Sequence, residues 1–113
     1  VWKMTGDSSV TNVVLNNGAL IDMTYASGFQ KIETDDLQGV DGMFKLDIDA
    51  STNVDNSDRI YVKGMFTGSP YLDLNEVGHG NLDGAEGTVL ATVNNNNGTF
   101  LAKDGSVMNL ISR

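Results

Sequence analysis

The amino-acid sequence predicts an all-β domain, and three observations support that prediction. Polar and apolar residues alternate with a period of two, as in half-buried strands, most clearly between residues 39 and 77. Short apolar runs are separated by clusters rich in Asn, Asp and Gly, which favour tight turns. No stretch combines an apolar face at helical spacing with capping residues. Short strands at regular spacing are typical of a sandwich, a barrel or a β-solenoid.

The first forty residues favour the solenoid among these three. Short strands are predicted at residues 1–4, 10–15, 20–25 and 29–34, and the segments that follow them contain Gly, Asn or Asp. Apolar residues follow one another directly at 13–15 and at 20–21, which suits a chain that bends at corners better than one flat, two-faced sheet. We therefore predict β-helix rungs for residues 1–40, although no strict sequence repeat accompanies them.

The stretch from residue 39 to residue 77 contains three alternating runs. The side chains that we predict to face the core and to carry the folding of this unit are Phe44, Leu46, Ile48, Ile60, Val62, Leu72 and Leu74. Turn-forming residues at 55–58 and 64–70 separate the runs, so we predict three strands. Phe66 and Phe100 are further candidates for the same core.

The C-terminal part predicts hairpins. Residues 88–93 alternate, residues 94–98 form an Asn-rich polar turn that ends in Gly, and residues 99–103 return as the partner strand. A second turn at Asp104 and Gly105 precedes a last strand at 106–111. We therefore predict that residues 41–113 form an antiparallel, hairpin-like cap on the rungs, within a single domain of residues 1–113.

Composition excludes several classes of function. The chain has 113 residues, no cysteine and a formal net charge of −8. The length suits one domain, and the missing cysteine excludes a disulfide framework and a thiolate metal site. The acidic balance disfavours nucleic acid and anionic membrane surfaces, both of which attract Lys and Arg. Because the chain opens on strand-forming residues at 1–4, we expect it to be a piece of a larger protein.

Four aspartates are the best candidates for binding a cation. Carboxylates could coordinate Ca²⁺, or they could belong to a solvated strand face and Asx turns, which is the interpretation that we favour. The four residues are Asp47, Asp49, Asp55 and Asp58. They lack the Gly and the terminal Glu of an EF-hand loop. We expect no metal and no cofactor.

The remaining candidate groups do not form a catalytic constellation. His79 is the single histidine and would alone have to support a zinc site or a Ser-His-Asp triad. Asp35 and Asp36 are adjacent, so strand geometry points them to opposite faces and not at one glycosidic bond. Trp2 and Tyr71 could stack on a sugar, although packing at a terminal rung explains Trp2 equally well. We predict that the chain is not an enzyme.

Six segments, taken in order, resemble the C-terminal passenger region of bacterial autotransporters of the pertactin-like family. The segments are 1–12 (VWKMTGDSSVTN), 15–22 (LNNGALID), 29–37 (FQKIETDDL), 42–49 (GMFKLDID), 57–64 (SDRIYVKG) and 71–74 (YLDL). Each segment alone is a weak signal, but their order and spacing together are specific. The resemblance covers residues 1–77 well and the rest loosely.

The resemblance implies a right-handed parallel β-helix (solenoid) whose last rungs and antiparallel, hairpin-like cap act as an autochaperone. The implied partners are the passenger rungs N-terminal to this segment and a downstream membrane β-barrel in cis. The implied location is the surface of a Gram-negative bacterium, or the medium after export through the outer membrane. The alternative function is an adhesin or virulence factor that binds a host surface protein through one β-helix face.

An uncovered first rung also predicts weak self-association. Exposed strand edges invite another chain, and the residues that we expect near this end are Trp2, Val10, Val13 and Leu15. The net charge of −8 opposes association until salt screens it. We therefore expect a dimer fraction that grows with ionic strength.

Overall fold

The structure, a computed structural model, describes residues 1–25, 28–48, 57–77, 91–102, 107–108 and 111–112. These residues form β1 (Trp2–Lys3), β2 (Ser8–Asn16), β3 (Leu20–Asp22), β4 (Lys31–Ile48), β5 (Arg59–Glu76), β6 (Ala91–Gly98), β7 (Phe100–Ala102), β8 (Val107–Met108) and β9 (Ile111–Ser112), with no helix among them. All nine strands belong to one sheet. The predicted all-β class is confirmed, and the sheet is mostly parallel.

Parallel pairing places successive strands side by side. The main path through the sheet is β1-β3-β4-β5-β6-β9, while β2 also pairs with β4 and β7 also pairs with β5. Ser8 pairs with Ile32, Ile32 with Ile60, and Ile60 with Ala91, so equivalent positions lie above one another from strand to strand. Alternation in one strand therefore repeats in the next, and one buried face continues through the stack.

The two longest strands, β4 and β5, are bent. Each contains 18 residues, and a straight strand of that length would measure about 59 Å. The molecule measures 34 Å along its longest axis. The ladder between the two strands shifts register between Thr34 and Leu37 and again between Val40 and Met43. Bends at these two shifts allow both strands to fit within the molecule.

Apolar residues of neighbouring strands stack into one core. Ile21, Phe44 and Leu72 occupy paired positions on β3, β4 and β5, and all three are buried. The same is true of Leu37 and Phe66 on β4 and β5. Burial of a large apolar side chain contributes about 1.5–3 kcal/mol. The core therefore follows the direction in which strands stack.

The turn-forming residues at 64–70 do not separate two strands, contrary to the prediction, because they lie inside β5. Gly64 and Pro70 fall at the two register shifts of the ladder between β4 and β5. Proline cannot donate to a ladder and is tolerated where pairing is interrupted. Residues that form chain-reversing turns elsewhere therefore mark bends within one strand here.

The predicted hairpin turn at residues 94–97 is also wrong, because these asparagines continue β6. Residues 95–97 pair in parallel with residues 65–67 of β5. Strand propensity depends strongly on context, and the neighbouring strand provides backbone hydrogen bonds whatever the side chain is. Pairing with β5 therefore overrides the local turn preference of the Asn run.

The antiparallel cap predicted for residues 41–113 is wrong in extent, because most of this region pairs in parallel. In the part of the chain that the structure describes, antiparallel pairing is limited to β7 with β8, and to one bridge between Ile48 and Ser57. β4, β5, β6 and β9 continue the parallel stack. The pair β7–β8 agrees with the second predicted hairpin, whose turn at Asp104 and Gly105 lies outside the described residues.

Candidate functional site

The structure buries the predicted core side chains of β4 and β5 on one face. The residues that are at most 3 % exposed are Phe44, Leu46, Ile48, Ile60, Val62 and Leu72, and Leu74 packs partly buried against them. Alternation in the sequence identified this face because successive residues of a strand point to opposite sides. The inward face therefore contributes to packing. Polar and charged side chains that could bind a ligand lie on the outward face and at the ends of the strands.

Three phenylalanines form the centre of the core. The rings of Phe66 and Phe100 stack with centroids 4.5 Å apart and an interplanar angle of 30°. The ring of Phe44 meets Phe100 edge-on at 6.5 Å and 73°. Both arrangements are favoured by the ring quadrupoles. The stack joins β4, β5 and β7.

The outward face of β4, β5 and β6 carries a shallow groove of 330 Å³. The Nζ of Lys63 lies 3.5 Å from the Glu33 carboxylate and 3.3 Å from that of Asp35. Its hydrogen bond to Asp35, its attraction to that carboxylate and its contact with Glu33 raise the pKa of Lys63 above its ordinary value. The Nζ of Lys31 lies 5.8 Å from the ring centroid of Tyr61. The groove thus offers one aromatic ring with charges of both signs.

Exposed polar side chains form hydrogen bonds to the backbone of neighbouring strands. The backbone N–H groups of Lys31, Val40 and Met65 donate to the side-chain oxygens of Asp7, Asn16 and Asp36 respectively, each over 2.9 Å. In each pair the acceptor lies on the earlier segment of the chain and the donor on the strand stacked next to it. These contacts satisfy backbone groups near strand starts and bends, where the ladder is incomplete.

A different aspartate, Asp58, is fully buried beside both ends of β4. Its Oδ1 accepts the backbone N–H of Gln30 over 2.7 Å, and its Oδ2 accepts that of Asp47 over 2.6 Å. The N–H of Asp58 donates to the Asp47 carbonyl over 2.8 Å, and the N–H of Arg59 donates to the Gln30 carbonyl over 3.0 Å. One side chain therefore ties the start and the end of β4 to the start of β5.

The surroundings of Asp58 oppose its ionisation. Burial raises the pKa of Asp58 to about 6, and the acidic side chains of Asp47 and Asp22 act in the same direction, whereas the two backbone N–H donors act against it. The side-chain amide of Gln30 and the hydroxyl of Ser57 are buried and have no hydrogen-bond partner among the residues described. We call these four residues, Gln30, Asp47, Ser57 and Asp58, the buried corner.

Of the four aspartates considered as calcium ligands, the structure describes Asp47 and Asp58. Asp49 and Asp55 lie outside the described residues. Both oxygens of Asp58 accept backbone N–H groups, and Oδ1 of Asp47 accepts the Nδ2 of Asn75 over 2.8 Å. Asp47 is 8 % exposed, so its predicted place on a solvated strand face is wrong. Within the described ranges, no three His, Cys, Asp or Glu residues are arranged to hold a metal ion.

The other candidate residues that the structure describes are Asp35, Asp36, Trp2 and Tyr71, and they do not form one site. His79 lies outside the described residues. Asp35 is paired with Lys63, and Asp36 accepts a backbone N–H, so these carboxylates have different partners. Trp2 lies on β1 and Tyr71 on β5, three strands apart in the sheet, which is about 14 Å. These two aromatic rings therefore do not form one sugar-stacking platform.

Sequence reasoning missed the buried corner. It placed Ser57 and Asp58 in a turn, named Asp47 and Asp58 only as possible calcium ligands, and did not single out Gln30. The available signal was the position of Asp58 directly before the alternating strand that begins at Arg59, together with the position of a second polar residue, Gln30, directly before β4. Neither residue reveals its burial locally, because the burial arises from strands that meet in space.

Two further findings bear on function. No helix in the described part of the chain is long and apolar enough to cross a membrane. No protein-family model, curated protein or solved structure matches this chain.

Proposed function

We propose that this chain is a segment of a right-handed parallel β-helix and that its role is structural. It would promote the folding of adjoining rungs of a secreted passenger, and so the passenger's translocation across the outer membrane. The observation that carries the proposal is the stacked parallel register in which Ser8, Ile32, Ile60 and Ala91 occupy successive levels. Stacked units that each contact their neighbours are the basis of solenoid architecture.

The bends of β4 and β5 support a coil with three sides. The ladder between the two strands is divided into residues 31–34, 37–40 and 43–48 of β4, each paired with its counterpart on β5. Each strand changes direction twice, and the two changes fall at the same places in β4 and β5. The three segments of one strand therefore stack on those of the other, and so do the bends between them. The right hand of the coil follows from the general handedness of connections between parallel strands.

The open edge of β2 supports a folding role. In the described structure β2 pairs with β4 alone, and a groove of 360 Å³ at this end is lined mainly by apolar residues, among them Trp2, Val10, Val14 and Leu20. An edge with free backbone groups and an apolar rim is a template on which a further rung can stack. This edge would order the rung next to it.

Surface display of a fused β-helix passenger tests the proposal. Deleting this chain from the fusion should lower the displayed amount. Val14→Lys, at the open edge, should lower it as well, because a charge would enter the stacking surface. Val40→Lys is the matched control, since Val40 and Val14 are 57 % and 56 % exposed but Val40 lies on β4 inside the stack. Unchanged display after deletion would refute the folding role.

The second candidate function is binding of a host surface protein. The groove on the outward face supports it, because Tyr61 and the charged groups of Lys31 and Glu33 converge there. The purified chain should then bind host cells or matrix by itself, and Tyr61→Ala should abolish binding while leaving the fold intact. Binding that persists in Tyr61→Ala would remove this groove from consideration.

Weak self-association at the open edge remains a further proposal, but the residues that would form the contact differ from those predicted. Val13 and Leu15 are 7 % and 2 % exposed and belong to the core, so they are not available to a second copy. Trp2 and Val14 remain exposed beside the edge. Sedimentation velocity should show a dimer fraction that increases with salt and falls in Val14→Lys; a strictly monomeric chain at high salt and concentration would contradict it.

A further inference from the structure

The buried corner joins parts of the chain that are far apart in sequence. Gln30 precedes β4, Asp47 lies near its end, and Asp58 precedes β5. The two carboxylate oxygens of Asp58 hold one backbone N–H from each end of β4, over 2.7 and 2.6 Å. The antiparallel bridge between Ile48 and Ser57 lies directly beside them. A change in the protonation of the Asp58 carboxylate therefore alters hydrogen bonds at both ends of β4 and at the start of β5.

The composition of this corner favours a neutral Asp58. The charged groups that act on its carboxylate from neighbouring strands are Asp47 near the end of β4 and Asp22 at the end of β3, and both are acidic. In the described part of the chain, the charges that act on this buried carboxylate are negative, and they add to the cost of ionising it. Among the residues described, the corner also holds three buried polar atoms without a hydrogen-bond partner. Oε1 of Gln30 and Oγ of Ser57 can accept from a carboxylic O–H, whereas Nε2 of Gln30 is a donor.

We propose that the buried corner is a proton-operated clasp, closed when Asp58 is neutral and loosened when Asp58 ionises. In the closed state a proton taken from solvent resides on the Asp58 carboxyl, which still accepts backbone N–H bonds and gains an O–H donor. In the ionised state the same corner contains two neighbouring carboxylates, and their repulsion acts on the ends of β4. The clasp is a property of this fold and is independent of the function proposed above.

The direction of the pH effect follows from burial. Because burial raises the pKa of Asp58 to about 6 from 3.8, the folded state binds the proton more tightly than the unfolded chain does. The resulting stabilisation is fully present below pH 3.8 and is lost as pH rises through about 6. A shift of this size corresponds to a roughly hundredfold change in the folding equilibrium constant.

The wild-type chain supplies the first test. Carboxyl ¹³C chemical shifts of the aspartates, followed by NMR from pH 3.5 to pH 8, should show one side chain, Asp58, that titrates near pH 6. The amide protons of Gln30 and Asp47 should titrate with the same midpoint and exchange faster with solvent above it. A midpoint for Asp58 below pH 4.5 would overturn the proposal, and no variant is needed for that outcome.

Variants supply the second test, with unfolding in urea measured at each pH. Asp58→Asn cannot ionise, so the difference in stability between wild type and variant should decline between about pH 4 and pH 6 and stay constant above pH 7. Asp36→Asn is the matched control, because Asp36 also accepts a backbone N–H but is exposed. Its difference from wild type should lack the decline between about pH 4 and pH 6. Parallel profiles for wild type and Asp58→Asn would refute the clasp.

Substitution of Asp47 tests whether neighbouring negative charges raise the pKa of Asp58. Asp47→Asn removes the negative charge with the larger effect on Asp58 while keeping an oxygen for the Asn75 amide, so the midpoint of Asp58 should move to lower pH. Asp22→Asn should move it in the same direction by a smaller amount, because Asp22 is the weaker of the two charges acting on Asp58. An unchanged midpoint in both variants would show that acidic neighbours do not operate the clasp.

Discussion

The inward and outward faces of β4 and β5 share one backbone ladder but are built differently. On the inward face, side chains such as Ile60 and Phe66 are at most 1 % exposed and pack against the next strand. On the outward face, Tyr61 and Met65 are partly or well exposed and Lys63 forms ion pairs with its neighbours. The hydrogen bonds of the ladder run in the plane of the sheet and serve both faces equally.

This comparison separates the contribution of packing from that of the backbone. A substitution on either face leaves the ladder in place, so a difference in stability between adjacent positions measures what each face adds. Burial in a closely packed core adds far more than a solvated ion pair, because the latter exchanges one set of water contacts for another. Adjacent residues should therefore differ sharply in their sensitivity to mutation.

The largest difference is expected between Phe66 and Met65. Phe66→Ala should lower the free energy of unfolding by about 3–5 kcal/mol, because it removes a buried ring and leaves a cavity beside Phe100. Met65→Ala, at a position 43 % exposed, should change it by about 0.5 kcal/mol or less. Urea unfolding of both variants measures the contrast, and similar losses would show that the two faces are not distinct.

The next difference concerns Ile60, Leu72 and Tyr61. Ile60→Ala or Leu72→Ala should cost about 2–5 kcal/mol, the usual range for a buried aliphatic side chain. Tyr61→Ala should cost much less, since the ring is partly exposed on the groove side. Equal losses at Ile60 and Tyr61 in the same unfolding assay would contradict the assigned faces.

A smaller effect is expected at Gly68, which pairs with Gly39 just before the second bend of β5. Gly68 has φ of 89°, and a Cβ there would overlap the carbonyl oxygen of Gly39 on β4. Gly68→Ala should cost about 1–3 kcal/mol from backbone strain alone, and the overlap should add to that. Gly18→Ala is the matched control, because Gly18 has φ of 80° but open space around it. The difference between the two glycine variants isolates the close approach of neighbouring strands, and it would vanish if these strands were not stacked.

The smallest effect is expected at Lys63. Its ammonium group is exposed and flanked by Glu33 and Asp35, so Lys63→Ala should lower stability slightly at low salt. Screening should remove even that loss at high ionic strength. Unfolding measured at two salt concentrations checks this, and a large or salt-independent loss would mean that Lys63 contributes by packing.

The alternation in the sequence was sufficient to predict the all-β class and the inward position of residues such as Phe44, Ile60 and Leu72. That information is local, because successive residues of a strand point to opposite sides whichever strand lies next to it. The alternation identified six of the 17 buried apolar residues in the described part of the chain, all of them on β4 and β5. It did not identify the buried corner, where Asp58 looks like any turn aspartate in sequence.

The sequence by itself determined which side of each strand is apolar, whereas the tertiary structure decided how the strands pair. Local preference does not distinguish a chain reversal from a bend within a strand at Gly64, at Pro70 or in the Asn run at 94–97. Parallel stacking of β4, β5 and β6 decided that the chain continues as a strand at these places. The burial of Asp58 likewise required both ends of β4 to meet the start of β5. Such meetings depend on residues distant in sequence, and a local pattern does not contain them.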